Sequence, residues 1–216
     1  MEPPTQEAPM PGDAPLRIVT FFEQYGAGGA AIAARVAERL GVPFHGQAMS
    51  SAAMEQAEAE ATAREENAFE RILRSFAPLP SADPDVGWAM ESRTDYELAQ
   101  NNIRSVKDAV AGRGGVLVGR NATIILAHEP GALHVKIEGP VDQRLERAAA
   151  ESGIDLDQAR KRQRREDRVR VEISKRLFRW DPSDDAAYDL VVNTRGFTVD
   201  QAADVIVHAY LLRFPG

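Results

Sequence analysis

The chain has 216 residues, a length that suits one domain, and its 44% hydrophobic content is enough to fill a core. A net charge of −7 argues against a general nucleic-acid binder, while leaving room for a local basic site. With no cysteine there can be no disulfide framework, zinc knuckle or thiol nucleophile.

The opening MEPPTQEAPMPGDAPL has neither the basic nor the apolar region of a signal peptide. Its prolines and acids predict a disordered arm over residues 1–16, with one domain over 17–214. No apolar run reaches the length of a membrane span, so a soluble, cytoplasmic chain without a membrane partner is expected.

The first element is Ile18-Val19-Thr20-Phe21-Phe22, short, β-branched and aromatic, which predicts a buried strand. After Tyr25-Gly26-Ala27-Gly28-Gly29 comes a helical pattern, with Ile32, Val36 and Leu40 on one face, ended by Gly41 and Pro43. A weak strand is possible over 42–44. Residues 47–76 read as one or two helices, the Ala/Glu-rich part over 52–66 being a surface helix, and the prolines of 77–88 as a loop.

A helix is expected over 95–112 with Ile103, Val106 and Val110 inward, then the strand Val116-Leu117-Val118, ending on Gly119-Arg120-Asn121. Leu133-His134-Val135-Lys136-Ile137 predicts a third strand, and Pro140 the first turn of a helix reaching about Glu151. A basic helical stretch over 155–179 precedes a fourth strand, Tyr188-Asp189-Leu190-Val191-Val192. The last helix runs over 199–212 with Ala203, Ile206, Val207, Tyr210 and Leu211 inward. This alternation implies an α/β fold with a mostly parallel sheet, whose ligands bind beyond the carboxyl ends of the strands.

Three features point to chemistry. The glycine-rich turn between strand and helix can aim backbone N–H groups and a helix N-terminus at a phosphate; a tight turn with no ligand is the alternative. Arg120, just past a buried strand, has the planar fork that suits phosphate, or it makes an ordinary salt bridge. The basic stretch carries Arg160, Lys161, Arg162, Arg164, Arg165, Arg168, Arg170, Lys175, Arg176 and Arg179. It reads as a phosphate-binding lid, a solvated helix face or a patch for RNA or an acidic partner.

The stretch Glu23-Gln24-Tyr25-Gly26-Ala27-Gly28-Gly29-Ala30-Ala31-Ile32-Ala33, with Ala37-Glu38-Arg39-Leu40-Gly41-Val42-Pro43-Phe44, resembles the opening of cytidylate kinase-like proteins. Gly119-Arg120-Asn121 resembles the Gly-Arg-Asp turn of cytidylate kinases. Asp167 and Arg170 match the end of their Arg-Asp-x-x-Asp-x-x-Arg lid pattern. Trp180-Asp181-Pro182 and Tyr188-Asp189-Leu190-Val191-Val192-Asn193-Thr194 resemble the turn and strand that come after the lid in that family.

The resemblance implies a three-layer P-loop NTPase-type domain with an arginine-rich helical lid over about 155–182. The implied activity is phosphoryl transfer from ATP with Mg2+ to CMP, dCMP or a similar nucleoside monophosphate. Gly26, Ala27, Gly28, Gly29 and Ala30 would cradle the donor phosphates and Arg120 would hold the acceptor phosphate. Asn121, in place of aspartate, would contact base or sugar. Arg164, Arg168 and Arg170 would neutralise transferring charge, and Asp167 would position an arginine.

One departure is plain in the residues. Against the phosphate-loop pattern G-x-x-x-x-G-K-[ST], Glu23 stands for the first glycine, Gly29 for the lysine and Ala30 for the hydroxyl residue. A non-catalytic nucleotide sensor or interaction protein on the same fold is therefore the second expectation, and a partner-binding protein using the basic stretch the third. The four histidines have no metal-ligand spacing; His134 is expected to be packed, and His45 to lie near the acceptor side.

Overall fold

The computed structural model describes residues 16–63, 67–75 and 95–215. Nearly all of the expected 1–16 arm and the whole 77–88 loop fall outside the described residues. The elements are β1 (Ile18–Glu23), α1 (Gly29–Leu40), β2 (Phe44–His45), α2 (Ser51–Ala63), α3 (Ala68–Ser75), α4 (Asp95–Val110), β3 (Gly115–Val118) and α5 (Ala122–Ile125). They continue with β4 (Ala132–Glu138), α6 (Val141–Ser152), α7 (Leu156–Phe178), β5 (Leu190–Asn193) and α8 (Val199–Arg213).

The five strands form one parallel sheet in the order β2-β3-β1-β4-β5. Because β1 lies between β3 and β4, the chain crosses over on both sides of it. The loops after β1 and β3 therefore open at the same carboxyl edge, the place where such sheets bind ligands. On one face Val19, Phe21, Val116, Val135 and Ile137 pack against Ile32, Val36 and Leu40 of α1 and Ala203, Ile206 and Tyr210 of α8. On the other face Ile18 and Leu117 meet Val106 and Val110 of α4 and Leu126. That makes three layers, an α/β architecture with a parallel sheet between helices.

A further apolar cluster lies under the helical side of the molecule. Met49, Met54 and Ala57, Ile72 and Leu73 of α3 and Leu98 of α4 pack on Val169 and Ile173 of α7. The basic stretch is thus one continuous 23-residue helix, started by a capping box at Asp155 and seated on a core along one side.

Local corrections have physical causes. Leu211 is exposed, because α8 turns its buried stripe through Ala202, Ala203, Ile206 and Tyr210 instead. Pro140 is the residue before α6, with extended ψ, and not part of its first turn. The fourth strand begins at Leu190, because Tyr188 is held by its hydroxyl to Pro182 O at 2.8 Å and comes just after a short 3-10 turn. The Ala/Glu-rich helix α2 is not simply a surface helix, since Met54, Ala57 and Ala61 are buried.

Candidate nucleotide site

A cleft opens where β1 and β3 end, roofed by α7. Its walls include Phe22 and Glu23 from the end of β1, Arg120 and Asn121 from the turn after β3, and Arg170 and Ser174 from α7. Gln47, Met49 and Trp180 also line it.

The turn after β3 is bent in an unusual way. Gly119, Arg120 and Asn121 all have positive φ, at 70°, 57° and 55°. Two consecutive non-glycine residues in the left-handed region store strain of the kind that clusters at functional turns. Asn102 Nδ2 donates to Arg120 O at 2.9 Å, and Ser174 Oγ donates to Asn121 Oδ1 at 2.6 Å, which pin the bend from two helices. Arg120 itself is half-buried, and its Nε donates to Gly46 O at 3.0 Å. Burial lowers its pKa from the ordinary guanidinium value. Among the described residues no carboxylate pairs with it, so a partly desolvated cation faces the cleft without a counter-charge.

Arg170 also lines the cleft but is already matched. Its Nη2 donates to the buried Glu166 at 2.9 Å, and its Nη1 lies 3.6 Å from Asp167. Asp167 in turn accepts from Arg144 Nη1 at 3.2 Å and from Gln163 at 2.9 Å. Arg164 and Arg168 share a helix face as their spacing requires, but both are exposed and neither lines the cleft. The tertiary structure therefore brings Arg120, Asn121 and Arg170 to one cleft, joins Asp167 to Arg170 beside it, and leaves Arg164 and Arg168 apart.

The glycine turn is a tight loop from β1 into α1. Gly26 and Gly28 have φ of 73° and 82°. A Cβ on Gly26 would lie 2.3 Å from the Arg144 carbonyl oxygen, so only glycine fits there. Two arginines of α6, silent in the sequence, hold the loop carbonyls: Arg144 Nη1 donates to Tyr25 O and Arg147 Nη1 to Gly26 O, each at 2.9 Å. No local pattern marks them, since their role exists only because α6 packs beside the loop.

The loop's N–H groups are largely spent within the chain. Gln24 N–H donates to Ile137 O, Tyr25 N–H to Asp167 Oδ1 at 2.8 Å, and Ala27 N–H to Gln24 O. The Glu23 carboxylate sits at the start of α1: a Cβ on Gly29 would be 2.5 Å from its Oε2. Burial raises the pKa of Glu23, while Arg170 and the N–H groups of Gly29 and Ala30 favour its charge. Gln47 Nε2 donates to the other carboxylate oxygen. Of the remaining loop amides, those of Gly26 and Gly28 have no acceptor among the described residues.

These features do not fit a Mg-ATP donor held in the usual way. No lysine or hydroxyl side chain stands at positions 29–31, and a buried carboxylate lies against Gly29. No group of three or more metal-ligating side chains gathers among the described residues. No described helix is long and apolar enough to cross a membrane.

Neither histidine near the sheet lines the cleft. His134 is buried, and its Nδ1 shares a 2.8 Å hydrogen bond with Thr20 Oγ1 on the α4 side of the sheet. Burial lowers its pKa. His45 lies in β2, outside the cleft.

The model of the cytidylate kinase-like family matches residues 18–196. A cytidylate kinase from Methanopyrus kandleri is 24% identical over 142 residues, covering 62% of this chain and 67% of that protein. A uronate isomerase from Corynebacterium glutamicum is 34% identical over 150 residues, covering 69% of this chain; the chain spans only 29% of that protein's length. Among solved structures, an uncharacterized protein from Eubacterium ventriosum superposes with a TM-score of 0.62 at 18% identity, over 90% of this chain and 98% of the other.

Proposed function

The chain belongs to the cytidylate kinase-like family, and we propose that it is a kinase-like protein whose cleft binds a nucleoside monophosphate, CMP or dCMP, by its phosphate. The observation that carries this reading is Arg120. It is half-buried, has no carboxylate partner among the described residues, and is presented into the cleft by a strained turn. A buried guanidinium without a counter-ion is costly unless an anion completes it. Its planar fork would take the phosphate, with Nε already fixed on Gly46 O.

Asn121 and Ser174 stand beside Arg120 at the same cleft and would meet the sugar or base. An amide both donates and accepts, which suits a cytosine edge. Trp180 lines the cleft and offers an aromatic face.

Phosphoryl transfer from ATP with Mg2+ to CMP is the second reading. The family and the similarity to a cytidylate kinase favour it. ATP would supply the phosphoryl group and Mg2+ would neutralise its charge. The carboxylate of Glu23 beside Gly29 weighs against it.

Calorimetry of the purified chain with CMP, dCMP, UMP and AMP, alongside turnover with Mg-ATP, tests both. CMP binding that weakens about tenfold or more in Arg120→Ala supports the cleft reading. Diphosphate product would establish transfer. A chain that binds no monophosphate refutes the proposal.

A further inference from the structure

We infer that Glu23 is a specificity residue: its carboxylate takes the place that a phosphate would occupy at the loop after β1, so the chain admits a monophosphate in the cleft and keeps polyphosphates out of the loop. The inference rests on the monophosphate reading and extends it to what the site rejects.

Three observations converge. The carboxylate is buried and lies against Gly29 so closely that a Cβ there would overlap it, at 2.5 Å from Oε2 and 2.8 Å from the Glu23 Cβ. The groups that would serve an incoming phosphate serve Glu23 instead. The N–H groups of Gly29 and Ala30 and the Arg170 guanidinium all favour its charge. Gln47 Nε2 donates to its other oxygen, and Arg170 Nη2 donates to Gln47 Oε1 at 3.4 Å.

Three of the neighbouring amides are closed too, while those of Gly26 and Gly28 have no acceptor among the described residues. Asp167 receives Tyr25 N–H from the far side of the loop, and Gln24 and Ala27 donate to backbone carbonyls. An incoming polyphosphate would bring several negative charges against a fixed carboxylate in a desolvated position, and like charges so placed weaken binding strongly. Glu23 also lines the cleft, but its carboxylate is taken up by Gln47 and the start of α1, whereas Arg120 offers the cleft a cation that no acid among the described residues pairs with. The carboxyl edge of the sheet thus has opposite preferences at two neighbouring turns: an anion is wanted at Arg120 and already present at Gly29.

Nothing in this arrangement depends on the basic stretch as a whole. Arg162 is bound to Glu55 in a paired contact at 2.6 and 2.9 Å, and Arg176 to Asp95 and Glu70. Those arginines hold α7 on its neighbours and are not reserved for phosphate.

The test uses inorganic pyrophosphate, which has no base and no need of the cleft, on the full chain and on Glu23→Ala. Amide resonances of Gly28, Gly29 and Ala30 in nitrogen–proton correlation spectra locate the binding. The expected result is no response of these amides in the native chain and saturable shifts in Glu23→Ala, with affinity raised by at least about tenfold. Glu23→Gln keeps the size and loses the charge, and serves if the alanine variant does not fold; a smaller gain is expected. Pyrophosphate that binds the loop of the native chain as tightly as that of the variants overturns the inference, as does a folded variant that gains nothing. CMP titration of the native chain is read separately, so loss of the monophosphate reading is distinguishable from loss of this one.

Discussion

The carboxylate of Asp167 accepts the backbone N–H of Tyr25 at 2.8 Å, so helix α7 holds the loop after β1 directly by its main chain. The same carboxylate receives Arg144 Nη1 at 3.2 Å, which itself donates to Tyr25 O. One residue's backbone is thus gripped on both sides by an acid and a base that neutralise each other, and α6, α7 and the loop become one unit.

Asp167→Ala removes the acceptor for that amide and leaves Arg144 without its charge partner. Breaking a half-buried pair of this kind is expected to destabilise the chain by about 2 kcal/mol, and Asp167→Asn, which can still accept the Tyr25 N–H, by about 1 kcal/mol. Urea midpoints of the two variants check the order. Equal losses would show that the amide bond to Tyr25 contributes nothing distinct.

Arg120 separates strain from binding. In Arg120→Gly the guanidinium is lost but the strain of a φ of 57° is relieved, whereas Arg120→Ala loses the guanidinium and keeps the strain. Both variants should lose CMP affinity alike, with the glycine variant more stable by about 1 kcal/mol. Arg164→Ala and Arg168→Ala, on the exposed face of α7, should leave CMP affinity within about twofold. Thermal unfolding and calorimetry on the four proteins decide it.

Glu23 gives a pH signature with a definite sign. Burial raises its folded pKa above the ordinary value of 4.5, so between that value and the folded pKa the native chain binds more protons than the unfolded one. The stability that Glu23 contributes is fully present below pH 4.5 and is lost as pH rises through the folded pKa. The stability of the native chain minus that of Glu23→Gln should therefore fall with rising pH above 4.5 and then level off. Denaturant unfolding of both proteins across that range measures it; a difference that grows with pH would contradict the burial of this carboxylate.

Restoring the missing lysine alone should fail. In Gly29→Lys the new Cβ would meet Glu23 Oε2 at 2.5 Å, so the substitution should destabilise the chain and add no ATP affinity. With Glu23→Gly in the same chain the space opens, and a gain in ATP affinity of about tenfold is expected. Melting temperatures with and without ATP distinguish the two.

Much of the architecture was legible in the residues. Short β-branched runs at 18–22, 116–118 and 133–137 became β1, β3 and β4, and the fourfold spacing of Ile32, Val36 and Leu40 became the buried face of α1. Periodicity of this kind is local, and burial of one face comes with it whatever the neighbours are. The alternation of strands and helices already implied a parallel sheet whose carboxyl edge holds both the Gly26 turn and the Arg120 turn, whereas the order of strands came only with the fold.

By itself the sequence determined the alternating elements, the glycines that the left-handed turns need, and the absence of a lysine and hydroxyl in the loop. The tertiary structure alone decided which charges meet. Helical spacing parts Arg170 from Arg164 and Arg168, but that Arg170 takes the cleft and the other two the solvent is fixed only because α7 buries Val169 and Ile173. Glu23 reads as one misplaced acid in the chain. Only when β1 ends beside the first turn of α1, with Gln47 and Arg170 closing over it, does that acid become the anion that the loop already holds. Charge pairing acts over a few ångströms in space, and residues separated by more than a hundred positions come within that range only after the chain has folded.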